Sequence, residues 1–154
     1  MSEPRVINGV EELESLVGQQ VGTGDWFEIT QDRVSQFADA TDDHQWIHID
    51  EERAKEGPFG STIAHGYLTL SLIAGLSPKI FTITGMKMMI NYGLNKVRFP
   101  QPVPVGSRVR DVVELAEVNR KSSGVQVVMN HTVEIEGADK PACIAQTVTL
   151  MVEA

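Results

Sequence analysis

The chain has 154 residues, 42% of them hydrophobic and 22% charged, enough to bury a core as a single domain over 1–154 without disulfide staples. Lys and Arg number 13 against 21 Asp and Glu, a formal net charge of −8, which argues against a duplex nucleic-acid partner because such a surface needs uncompensated cations. With one cysteine (Cys143), no apolar run of spanning length and no signal-peptide core in Met1–Leu16, a reduced, cytoplasmic protein without a membrane role is expected.

Along the chain, Asn8 and Glu11 have capping spacing, and Val10, Leu13, Leu16 and Val17 repeat helically, which predicts a helix over 9–17. Trp26 to Ile29 reads as a short strand. Thr30 caps a second helix with Val34, Phe37 and Ala38 on its apolar face, ending near Thr41, and Asp50 caps one further turn through Ala54. Ile63 to Leu76 is apolar nearly all round, so a helix there has to be buried on most sides. The period then changes to two: a strand over about 86–99 with bends at Gly85 and Gly93, then alternation in 109–115, 125–135 and 142–152. Pro100, Pro102, Pro104 and Gly106 form a stiff elbow between strands. One buried helix followed by at least four long antiparallel strands is the expected arrangement, with the sheet covering the helix on one face.

Charge is uneven. Residues 1–60 hold fourteen acids and four bases, and 57–110 hold no acid at all while carrying Lys79, Lys87, Lys96, Arg98, Arg108 and Arg110. A local basic tract in an acidic protein has the field to hold an anionic small molecule, although solvated Lys and Arg on strand faces give the same pattern.

Asp42, Asp43, His44 and His48 crowd the loop between two helices. Asp43 and His48 are five residues apart, about 140° on a continuous helix, so they converge only if the chain there is a loop. A carboxylate beside an imidazole supplies two proton-transfer groups whose pKa values burial and mutual charge tune. His44 and His48 have the i, i+4 spacing of zinc ligands, but Gln45 stands where a metalloprotease needs its general-base Glu and no Cys is near, so no metal is expected. No Gly-x-Ser-x-Gly or Gly-x-Gly-x-x-Gly is present, which leaves nucleophilic serine chemistry and a dinucleotide cofactor unsupported. Ala64-His65-Gly66 opens the apolar helix, where unpaired amides are suited to a developing oxyanion; the alternative for Gly66 is close helix–sheet packing. His65 is expected to be buried and hydrogen-bonded rather than catalytic, and His131, on the apolar face of its strand, to be a satisfied core or interface histidine.

The run Phe37-Ala38-Asp39-Ala40-Thr41-Asp42-Asp43-His44-Gln45-Trp46-Ile47-His48-Ile49-Asp50, with Phe59-Gly60-x-x-Ile63-Ala64-His65-Gly66, resembles the signature of MaoC-like dehydratases and (R)-specific enoyl-CoA hydratases, nearest the nodulation protein N-like branch. Val97-Arg98-Phe99 and Pro102-Val103-Pro104-Val105-Gly106 are similar to that family's second block, so the resemblance covers roughly 20–152. It implies an α+β hot-dog fold, a long central helix wrapped by a curved antiparallel sheet, usually as a homodimer. By the same resemblance Asp43 and His48 match the catalytic aspartate and histidine, and Gly66 the glycine whose amide holds the thioester oxygen. Asp42 stands in place of the family's usual glycine, Gln45-Trp46 in place of Asn-Pro, and Ala74 in place of a serine found in some members.

The implied activity is reversible syn hydration of a trans-2-enoyl-CoA to the (R)-3-hydroxyacyl-CoA without a cofactor, with Asp43 expected as base and His48 positioning the water and sharing in the proton return to C2, or with these roles exchanged. Trp46 and His65 are expected to shape the substrate site, and Lys96 and Arg98 to meet the coenzyme A phosphates. The alternatives are a hot-dog acyl-CoA thioesterase and a non-catalytic acyl-CoA or partner-binding module.

Overall fold

The computed structural model describes residues 3–154. β1 (Arg5–Asn8) runs into α1 (Gly9–Ser15), which stops two residues before the expected end. Its start is held by the Glu12 carboxylate, which accepts from the Asn8 backbone N–H; Glu11 does not do this, and the Asn8 side chain makes no cap. β2 (Gln20–Thr23) and β3 (Phe27–Glu28) follow. α2 (Gln31–Thr41) begins as the sequence predicts, the Thr30 hydroxyl accepting from the Arg33 N–H at 3.2 Å. α3 (Trp46–Ile49) is a single turn. α4 (Glu51–Lys55) is capped by the Asp50 carboxylate, which accepts from the Arg53 N–H at 3.1 Å.

The central helix, α5 (Gly66–Leu76), starts three residues later than its apolar stretch. The cause lies in the backbone: the Ile63 N–H donates to the Ile47 carbonyl (3.0 Å) and the Ala64 N–H to the Val103 carbonyl (2.8 Å), so this segment is stitched to its neighbours before the helix begins. A 3₁₀ turn over Ser77–Lys79 leads to β4 (Phe81–Thr84), which pairs parallel with β1, a contact that alternation alone does not reveal. β5 (Met86–Arg98), β6 (Arg108–Lys121), β7 (Gly124–Ile135) and β8 (Cys143–Glu153) are the long strands. With β2 and β3 they form one antiparallel sheet in the order β2-β6-β7-β8-β5, and β3 also pairs with β6. A central helix against a large antiparallel sheet is the α+β hot-dog arrangement.

Two apolar clusters fill the space inside the sheet. One joins Ile7, Leu13 and Phe81 to Val113, Leu115 and Val127; the other joins Val34, Leu68 and Ile73 to Val109, Val133 and Ala145. The alternation in β6 to β8 aims these residues inward, as period two requires. α5 is less enclosed than its composition suggests: Leu68, Thr69, Ile73 and Leu76 are buried, but Tyr67, Ser71, Ala74 and Gly75 are exposed.

The sheet also buries a polar pair. His131 Nδ1 lies 2.9 Å from Asp111 Oδ2, both side chains are almost fully buried, and the Ser77 hydroxyl reaches the same oxygen at 3.4 Å. His131 is thus a satisfied core histidine. Removing one partner of such a pair strands a buried charge, whereas replacing both with apolar groups does not. Accordingly, H131L is expected to lower unfolding free energy in urea by about 3–5 kcal/mol, with D111L/H131L recovering much of that loss.

Candidate active site

Asp43 and His48 meet because α2 stops one residue before the aspartates. Asp42 takes the left-handed conformation (φ 60, ψ 23) that ends the helix, and the chain turns across Asp43 before α3 begins. Glycine is the natural residue there, and aspartate is among the few others that adopt it readily, so Asp42 in the usual glycine position keeps the turn. Gln45 and Trp46 occupy the N-cap and first position of α3, where Asn and Pro suit a helix start. Both departures from the family pattern fall on positions that shape the loop. The expectation that His48 itself lies in a loop is corrected: it belongs to the single turn of α3, and only Asp43 is in the connecting segment.

His48 is buried and held by its main chain and its ring. Its Nδ1 lies 2.7 Å from the Ile63 carbonyl, which only accepts, so Nδ1 carries the proton and the neutral ring presents its lone pair at Nε2. Its backbone carbonyl accepts from the Gln31 amide at 2.8 Å, and the Gln31 side-chain oxygen accepts from the Thr62 hydroxyl at 2.6 Å. The sequence reading missed Gln31, Thr62 and the Ile63 carbonyl. Two of these act through distant parts of the chain, and the third is backbone, which carries no side-chain signature.

His65, the N-cap of α5, lies beside them, 3% exposed. Its ring stacks on that of His48 with centroids 3.8 Å apart and planes 22° from parallel. Its Nε2 donates to the Asp43 backbone carbonyl at 3.0 Å and lies 3.9 Å from an Asp43 carboxylate oxygen. Among the described residues its Nδ1 and Asp111 Oδ1 are the buried side-chain atoms without a hydrogen-bond partner, a condition that costs about 1–3 kcal/mol.

A carboxylate oxygen of Asp43 and a ring nitrogen of each histidine lie within 4.8 Å of one another. Two hydrogen bonds of about 2.8 Å meeting at a tetrahedral angle span about 4.6 Å, so the reach from Asp43 to His48 suits one shared water. These are also ligand types for a metal ion. His44 is elsewhere: its Nε2 pairs with Asp39 at 2.9 Å on the surface.

Gly66 contributes an amide from the open first turn of α5. The close-packing alternative also holds, since a Cβ there would come within 3.1 Å of the Phe99 ring. Trp46 turns onto α4, with the Arg53 guanidinium 4.2 Å above its ring and Gly57 packed against its edge. Lys96 and Arg98 are exposed on β5 without an ion-pair partner among the described residues.

This constellation has counterparts. The MaoC-like domain family matches residues 12–138. The chain belongs to the MaoC-like dehydratase family. It is 54% identical over 145 residues to the 3-hydroxyacyl-thioester dehydratase Z of Mycobacterium tuberculosis, covering 94% of this chain and 96% of that protein. It is 44% identical over 146 residues to nodulation protein N of Rhizobium leguminosarum bv. viciae, covering 91% and 89%. In structure it resembles the unliganded R-hydratase PhaJ1 of Pseudomonas aeruginosa (TM-score 0.72, 25% identity, 90% of this chain and 83% of that one). The (R)-hydratase of A. caviae superposes similarly (TM-score 0.70, 25% identity, 87% and 95%).

Burial pushes the His48 imidazole below its ordinary pKa of 6.5. The neighbouring His65 adds to this, while the Ile63 carbonyl and the Asp43 charge oppose it. The unfolded imidazole therefore takes a proton at a higher pH than the folded one, and stability present above about pH 6.5 is lost as pH falls toward the folded value. In H48Q that loss disappears. Urea titrations between about pH 7.5 and about pH 5 are expected to give a shallower decline than for the unsubstituted protein.

Proposed function

We propose that this protein is an (R)-specific enoyl-thioester hydratase that acts in the reverse direction as a 3-hydroxyacyl-thioester dehydratase, its single domain spanning residues 1–154. The observation that carries the reading is the approach of an Asp43 carboxylate oxygen and a His48 ring nitrogen to within 4.8 Å of each other, next to the first turn of α5. Relatives named as a 3-hydroxyacyl-thioester dehydratase and as R-hydratases support it.

The Ile63 bond supports the second of the two role assignments open from sequence, with His48 as the base. Nε2 of neutral His48 accepts a proton from the water, and the Asp43 carboxylate accepts the water's other O–H bond and steadies the imidazolium. As the water oxygen bonds to C3 of the enoyl group, the displaced electron pair moves to the thioester oxygen. There the Gly66 N–H and the helix dipole meet it, a contribution of about 3–4 kcal/mol in comparable sites. His48 then returns its proton to C2 on the same face, giving the (R)-3-hydroxyacyl thioester. Only a proton and a hydroxyl are transferred, which needs no redox cofactor. His65 lines this space; Trp46 acts on it through the loop that its ring anchors to α4. Lys96 and Arg98, unpaired and exposed, are the proposed contacts for a carrier's phosphates.

Loss of enoyl absorbance on adding crotonyl-CoA tests the reading. D43N and H48Q are expected to lower turnover by about 10²–10⁴-fold with unchanged circular dichroism, and K96E/R98E to raise KM with greater salt sensitivity. Release of free thiol would place the protein among thioesterases. Saturable acyl-CoA binding without a change in absorbance would make it a binding module.

The reading includes a homodimer. Among the described residues β5 pairs only with β8, and along β5 Met88, Met89, Ile90, Tyr92 and Leu94 are between 43% and 69% exposed. A long apolar edge strand invites pairing, and an antiparallel β5–β5 contact would present the same patch from both copies. A groove of about 250 Å³ on the adjoining sheet face is lined by Tyr92, Leu94, Asn95, Glu117, Gln126 and Val148 among others. Sedimentation is expected to give twice the 16.9 kDa chain mass, and I90K/L94K to give the monomer with lower activity. No described helix is long and apolar enough to cross a membrane; the acidic charge and lone buried thiol support a cytoplasmic location, which cell fractionation checks.

A further inference from the structure

We propose that His65 is a positioning residue for the hydration step, acting through Asp43 and His48 without touching the reacting atoms; this rests on the reading of those two residues as the catalytic pair. The Asp43 side chain is poorly held by itself. It is 51% exposed, and its one hydrogen bond, from the Gln45 N–H, is long at 3.4 Å. Its place is set by its main chain, and the bond that ties that main chain to α5 is the one from His65 Nε2 to the Asp43 carbonyl at 3.0 Å. The other face of the problem is His48, whose ring plane is set by the His65 ring 3.8 Å away. Phe37 of α2, tilted 55° at 5.0 Å, completes the contacts of the His65 ring.

The segment that leads into α5 therefore has three tasks. The Ile63 carbonyl selects the His48 tautomer, the His65 ring fixes both members of the pair, and the Gly66 N–H, in the first turn, is the proposed donor to the thioester oxygen. Since residue 65 is directly bonded to residue 66, the base, the carboxylate and the oxyanion donor are referenced to one rigid point. A residue needed only for packing would be apolar. The retained imidazole leaves Nδ1 buried and unpaired, so the Nε2–H donor and the flat ring are what this position requires.

Three substitutions separate the contacts. H65F keeps a flat ring against His48 and loses the donor, while H65Q offers an N–H near Nε2 and loses the ring. H65N places its N–H near Nδ1 and should not replace the bond. Misplacement of about 1 Å in such a site costs about 10²-fold. The expected result is a fall of about 10–100-fold in kcat for H65F with KM within about threefold, and H65Q at least about tenfold above H65N. In the D43N background H65F should cost less than about threefold, because residues acting as a unit are not additive. Near wild-type kcat in H65F, or equal rates in H65Q and H65N, would overturn the proposal, as would an undiminished H65F effect in D43N. If H65F does not fold, H65Q against H65N decides the question. D43N and H48Q measured alongside keep the two readings apart: full activity in those variants removes the catalytic pair itself, whereas their loss together with an active H65F removes only the role of His65.

Discussion

The bond from His48 Nδ1 to the Ile63 carbonyl is the contact on which the site depends. It crosses fifteen residues of sequence, joins the loop after α2 to the segment before α5, and leaves a single lone pair in the space beside Asp43. A histidine whose Nδ1 faced solvent would be free to change tautomer and to rotate, and the neighbouring carboxylate would have no fixed partner. Because the acceptor is a backbone carbonyl, any residue at position 63 that keeps the chain path would supply it.

The chain path at position 63 depends on the sheet elbow. Ala64 donates to Val103 and Val105 donates to Thr62, so the Pro102–Pro104 segment clamps the approach to α5. Proline fixes the elbow's backbone at little entropic cost. The helix then starts at Gly66, where Phe99 lies so close that a larger residue would have to displace it. In this way the proline-rich block places the Gly66 amide, the proposed oxyanion donor. Burial of the two histidines follows from the same packing, and that burial keeps His48 uncharged near neutrality.

Among the described residues Asp39 and His44 pair on the surface, while two further carboxylate–imidazole associations involve buried histidines, and their surroundings set these two apart. Asp111 and His131 are sealed between sheet and helix with their partners in contact, and they act as a structural pair. Asp43 is half exposed, and its carboxylate stands within 4.8 Å of a His48 ring nitrogen without a direct bond to it. Sequence chemistry is the same in both cases; access decides which pair is available to a substrate.

Much of this was legible in the residues. The change from helical to alternating period gave α5 and the four long strands, Thr30 and Asp50 marked true caps, and the Asp-x-x-x-x-His spacing with Ala-His-Gly marked the site. These are local signals, written in a few neighbouring side chains, and local sterics and hydrogen bonding read them directly. What the tertiary structure alone decided is longer in range. It set the parallel pairing of β1 with β4, the late start of α5 and the support of His48 by Gln31 and Thr62. It also stacked His65 on His48 and turned Trp46 onto α4. Each of these depends on a backbone group or on a partner far along the chain, and no pattern of side chains within one segment encodes where a distant carbonyl will lie.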